Sequence, residues 1–83
     1  MNTKIRIQIK YRGSYTTEFN LEDRNDQEKN AAIIASTLST KISKKKAKTD
    51  ADLIASLMTG EEPIYAYIPI VTDEEYIISI KTP

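Results

Sequence analysis

The feature that most constrains this chain is a change of hydrophobic period, from two to about 3.6 and back to two, within 83 residues. At the N-terminal end Ile5, Ile7 and Ile9 alternate with Lys4, Arg6, Gln8 and Lys10, the pattern of a strand with one buried face. Residues 14–21 alternate again, with Tyr15, Thr17, Phe19 and Leu21 set against Ser14, Thr16, Glu18 and Asn20. Gly13 lies between the two segments and marks a hairpin turn. A loop of Tyr11, Arg12 and Gly13 keeps apolar groups opposite one another: it pairs Ile9 with Tyr15, Ile7 with Thr17 and Ile5 with Phe19, and sets Arg6 against Glu18.

From Asn25 the period becomes helical. Asn25-Asp26-Gln27-Glu28 resembles a capping box, and Ala31, Ile34, Ala35, Leu38 and Ile42 recur on one stripe, which predicts a helix from about 26 to 45 closed by Lys44-Lys45-Lys46. A second helix is predicted with Thr49 as N-cap and Asp50 and Asp52 in its first turn. Leu53, Ile54, Leu57 and Met58 form its apolar face, Gly60 is placed to cap it, and Pro63 stops it.

Alternation returns after Pro63. Ile64, Ala66, Ile68 and Ile70 share one face, a turn falls at Thr72-Asp73-Glu74, and a last strand runs from Glu75 to about Thr82. Pairing Ile70 with Tyr76 and Ile68 with Ile78 keeps the core face continuous, while Pro63 and Pro69, lacking amide protons, mark the third strand as an edge. The order ββααββ gives the fold class: α+β, a single domain over 1–83, with one four-stranded antiparallel sheet and both helices on one face. Strand order 2-1-4-3 is preferred; order 1-2-3-4 and hairpins exchanged between two subunits share the same local signals.

Composition narrows the chemistry. The chain has no His and no Cys, so the commonest general base, the commonest zinc ligands and a thiolate nucleophile are absent together. With only Gly13 and Gly60, no glycine-rich phosphate loop can be written. The carboxylate pairs Asp50 with Asp52, Glu22 with Asp23 and Glu61 with Glu62, and the run Asp73-Glu74-Glu75, fall at turns or helix ends, where acids answer the helix dipole. The expectation is a protein that is not an enzyme and uses neither metal nor cofactor. No apolar run approaches the roughly 18 residues of a membrane span, and Met1-Asn2-Thr3-Lys4 leads into a strand rather than a signal-peptide core, so a cytoplasmic location away from membranes is expected. Thirteen Ile, and nine Lys against three Arg, point to an AT-rich coding genome such as many bacteria and phages carry, and the small size with this composition suits a phage or mobile-element protein.

Net charge is zero, but it is segregated: +4 over residues 1–13, −3 over 14–29, +5 over 30–48, −4 over 49–62 and −2 over 63–83. Lys41, Lys44, Lys45, Lys46 and Lys48, with Lys4, Arg6 and Lys10 of the first strand, are the candidate phosphate contacts of a nucleic-acid-binding protein. Against this, lysines closing a helix stabilise its dipole. The more unusual feature is the second face of the C-terminal hairpin, where Tyr65, Tyr67, Pro69, Val71 and Ile77 point away from the core-forming set. Tyr pairs a large apolar body with a polar tip and is favoured at protein contacts. The leading expectation is therefore a protein–protein interaction module, an inhibitor or adaptor acting through this face and edge on another protein or on a second copy of itself. Nucleic-acid binding is the alternative.

Overall fold

In a computed structural model that describes residues 3–13 and 15–83, four strands and two helices follow in the order β1 (Ile5–Tyr11), β2 (Thr16–Leu21), α1 (Gln27–Leu38), α2 (Lys44–Leu57), β3 (Ile68–Thr72) and β4 (Tyr76–Lys81). Met1, Asn2 and Ser14 lie outside the described residues. The strands form one antiparallel sheet in the order β2-β1-β4-β3, so the two hairpins meet along β1 and β4. Those central strands supply the sheet's share of the core: Ile5, Ile7, Ile9, Tyr76, Ile78 and Ile80 are buried against Ile34 and Leu38 of α1 and Ala47, Ala51 and Ile54 of α2. Both helices therefore cover one face. Among the described residues, no helix is long and apolar enough to cross a membrane.

The first hairpin keeps the expected facing but not the expected register. Ile5 pairs with Leu21, Ile7 with Phe19 and Ile9 with Thr17, and the Tyr11 N–H donates to the Tyr15 carbonyl at 2.8 Å. The pairing is shifted by two residues from the sequence-based expectation, and a shift of two leaves every side chain on its own face. The gain is Tyr11, which extends the row Ile5, Ile7, Ile9 and is buried rather than left in the loop. Gly13 carries the positive φ of 97° that the turn requires.

The helix boundaries differ more. Asp26 caps α1, accepting the Lys29 N–H at 3.2 Å, but the helix ends at Leu38 and not near residue 45. Hydroxyls end it: Thr37, Ser39 and Thr40 each bond back to a carbonyl of the preceding turn. Ser43, not Thr49, caps α2, accepting the Lys46 N–H at 3.3 Å, while the Thr49 hydroxyl bonds back to the Lys45 carbonyl inside the helix. Lys44, Lys45 and Lys46 thus open a helix rather than close one. The dipole disfavours cations there, and burial of Ala47 and Ala51 outweighs it.

The second hairpin closes through Asp73, whose N–H donates to the Tyr76 carbonyl at 2.8 Å and whose carboxylate accepts the Glu75 N–H at 3.1 Å. Ile68 pairs with Ile80, and a bulge between Pro69 and Val71 then sets Val71 opposite Ile78. The expected pairs Ile68 with Ile78 and Ile70 with Tyr76 are not formed. Residues 64–67 lie outside the strand, tied to the end of the chain where Thr82 N–H and Oγ1 both donate to the Ile64 carbonyl.

One buried cation joins the two ends of the helical segment. Arg24, 5% exposed, donates from Nε to the Met58 carbonyl at 2.9 Å and from Nη1 to the Glu62 carbonyl at 2.7 Å. Met58 is the C-cap of α2, so the guanidinium answers the negative end of that helix. Gly60, with φ of 143°, passes beside it; a Cβ there would stand 3.4 Å from Nη2.

Candidate functional site

The sheet face away from the helices carries Arg6, Gln8 and Lys10 of β1, Glu18 of β2 and Lys81 of β4, as the pairings Gln8 with Glu18 and Arg6 with Lys81 require. Exposed Lys4 precedes β1 in the same alternation. Tyr67 crosses this face. Its hydroxyl donates to Glu18 Oε1 at 2.8 Å, beside the Gln8 amide at 3.0 Å, and the Lys81 ammonium sits 5.6 Å from its ring. Since β1 and β4 lie between β2 and β3, this bond ties the chain entering one edge strand to the other edge strand. The two hydrogen bonds, that from Tyr67 first, hold the Glu18 carboxyl below its usual range; partial burial and then Glu18 push the phenol up.

The five residues expected on one binding face are therefore not equivalent. Tyr65 is 86% exposed and Ile77 39%, and Pro69 is exposed opposite Ser79. Tyr67 is half-buried and bonded within the chain. Val71 is turned to the helix side by the bulge and packs against the core, as Ile70 does. Conversely Ile68, expected in the core, is 46% exposed although its partner Ile80 is buried, because it sits on an edge strand with a neighbour on one side alone.

The exposed apolar surface continues onto α2. Lys46, Asp50, Leu53 and Leu57 fall on one stripe of the helix. At its start Lys46 Nζ meets Asp50 at 2.8 Å and Asp73 at 3.2 Å, and the Tyr76 hydroxyl donates to Asp50 at 2.5 Å. These contacts place the stripe on the β3 side of the helix. Leu53 and Leu57 lie about 10 and 16 Å farther along α2, and Ile70 and Ile68 about 10 and 17 Å back from Asp73, so the two rows run side by side. Leu53 is 54% exposed and Leu57 47%. A rim of Leu53, Leu57 and Ile68 results, and exposed Tyr65 lies in the segment that leads into β3. Leu53 and Leu57 were legible only as core candidates; that two positions of that apolar face stay uncovered depends on where β3 ends.

The lysine cluster divides. Lys46 belongs to the network just described; hydrogen bonds, that to Asp50 first, raise its pKa, and the Glu75 N–H, then Lys46, lower that of Asp73. Lys41 lies over the Tyr15 ring at 4.4 Å. Lys44, Lys45 and Lys48 are exposed on the helical side, opposite the side of the sheet that carries Arg6 and Lys10. The two basic sets do not converge.

A cleft of about 500 Å³ opens where the β1–β2 turn, the α1–α2 connection and the β3–β4 turn meet, lined by Tyr11, Arg12, Tyr15, Lys41 and Glu74 among others. Burial, with Tyr15 adding to it, raises the Tyr11 pKa. Cations and carboxylates are mixed here. Among the described residues, no three Asp or Glu side chains stand together as a metal site would need. No family model, curated protein or solved structure matches the chain.

Proposed function

We propose that this chain is a non-catalytic protein-binding module that docks another protein on the rim formed by the edge of its C-terminal hairpin and the adjoining side of α2. One observation carries the reading: of the six large apolar side chains exposed among the described residues, Leu53 and Leu57 of α2 and Ile68 of β3 border one side of the fold, with Tyr65 in the segment that leads into β3, while Ile77 lies opposite Lys10 on the helix-free face and Tyr15 stands apart. Scattered apolar residues need no explanation, whereas contiguous ones mark contact surfaces. Pro69 and the bulge blunt the β3 ladder, so docking proceeds through side chains more than through strand addition. A chain without His or Cys acts readily by occlusion, as an inhibitor or adaptor does; the phage or mobile-element origin read from composition belongs to the same proposal.

The test is affinity capture with the whole chain as bait, in parallel with Leu57→Lys with Ile68→Lys, and with Arg6→Glu with Lys10→Glu. The reading expects a captured protein that is lost with the first pair and kept with the second. Loss confined to the second pair overturns it in favour of nucleic-acid binding on the helix-free face, which the row Arg6, Lys10 and Lys81 favours.

A further inference from the structure

The two edges of the sheet are unlike. β3 is interrupted by Pro69 and a bulge, whereas β2 has neither proline, lysine nor bulge, and no strand lies on its outer side among the described residues. The bond from the Tyr11 N–H to the Tyr15 carbonyl fixes which main-chain groups lie open there. Bonded pairs alternate along an antiparallel ladder, so Tyr15, Thr17 and Phe19 turn their main-chain groups to β1, and Thr16, Glu18 and Asn20 turn theirs outward. Glu18, the one charged residue of the strand, is no guard for this edge, because Gln8 and Tyr67 hold its carboxylate over the helix-free face.

The side chains say which strand fits. Tyr15, 52% exposed, is the large apolar residue that stands apart from the rim, and Phe19 on the same face of β2 is half-buried. A second β2 laid antiparallel, with Thr17 on the two-fold axis, sets Tyr15 against the partner's Phe19 at both ends of the contact and joins Thr16 to the partner's Glu18 by main-chain bonds. On the helix-free face Lys10 stands opposite Thr16, so one threonine then separates the exposed Lys10 from the partner's Glu18. Two strand spacings are about 10 Å, which a lysine side chain can bridge, and the contact brings opposite charges together twice. The register with Glu18 on the axis opposes two carboxylates instead.

We propose that the β2 edge binds a second copy of this chain, by antiparallel two-fold pairing of β2 with β2 about Thr17, which joins the two four-stranded sheets into one. The rim lies at the opposite edge of the sheet and stays free for its own partner.

Sedimentation equilibrium of the whole chain, from low micromolar to about 0.5 mM, tests it together with amide hydrogen exchange by NMR at both ends of that range. A reversible monomer–dimer equilibrium is expected, with the Thr16 and Glu18 amides protected at the high concentration and exchanging freely at the low one. Thr16→Pro removes an outward donor without breaking a bond to β1, and should weaken the dimer about thirtyfold or more while circular dichroism stays unchanged. Thr17→Lys sets two cations against each other on the axis and should abolish the dimer, whether or not the proline variant folds. The rim pair Leu57→Lys with Ile68→Lys should leave it intact. A chain that stays monomeric throughout, a dimer indifferent to both β2 variants, or a dimer lost with the rim pair overturns the proposal.

Discussion

Replacing Arg24 by Met keeps most of the side-chain volume and removes one buried charge. Arg24 makes charge-assisted hydrogen bonds to the Met58 and Glu62 carbonyls, at 2.9 and 2.7 Å. Bonds of this kind contribute about 1.5–3 kcal/mol each, and a cation at a helix C-terminus adds about 0.3–1 kcal/mol. Against this stands the cost of taking the guanidinium out of water, several kcal/mol, which the variant recovers. The difference leaves Arg24→Met less stable by about 2–3 kcal/mol, or a fall in Tm of roughly 10–20 °C for a domain of this size. Urea denaturation followed by circular dichroism, with an unchanged m value, measures it. Arg24→Lys, which keeps the charge and loses the fork, should fall between the two. A loss below about 0.5 kcal/mol for Arg24→Met would refute the view that this residue fastens the end of α2 to the start of α1.

Three further outcomes follow from the same contacts. Burial and the Asp50 carboxylate raise the Tyr76 pKa far above that of an unfolded tyrosine, so the stability present below about pH 10 is lost as pH rises beyond it; Tyr76→Phe should flatten that alkaline loss in denaturation measured from pH 8 to 11. The Asp73 pKa is depressed, so its contribution is present above the unfolded value near 4 and disappears as pH falls through the folded value; acid titration of Asp73→Asn should lack that part of the transition. Ile78→Ser, fully buried, should cost about 3–4 kcal/mol, and Ile68→Ser, half exposed, under about 1 kcal/mol; equal losses would contradict the bulged register.

What was legible in the sequence was whatever local periodicity controls. The alternation of Ile5, Ile7 and Ile9 and of Tyr76 and Ile78 assigned the core face correctly, and a slip of two in the first hairpin could not disturb it. The α1–α2 junction was not legible, because the buried face of α2 begins with alanines, weak hydrophobic signals, and because a lysine run fits a helix end better than a helix start. The face of Val71 was lost at Pro69, where a bulge reverses the alternation that any period-two reading assumes. Arg24 and Lys46 were missed as structural residues since their partners are remote: Met58 is 34 residues from Arg24, and Asp73 is 27 from Lys46. The candidate site was legible as a segment but not as a surface. Tyr65 and Ile77 were assigned correctly to exposed positions, while Leu53, Leu57 and Ile68 joined them only once helix and edge strand were placed side by side.

The central claim is that the rim serves a partner and not the fold, and the most direct measurement is the unfolding free energy of the triple variant Leu53→Ser, Leu57→Ser, Tyr65→Ser at low micromolar concentration. The account predicts that the isolated chain changes by less than about 1 kcal/mol while capture of its partner is lost. A loss above about 3 kcal/mol that does not depend on protein concentration would place these side chains in the core and contradict the account.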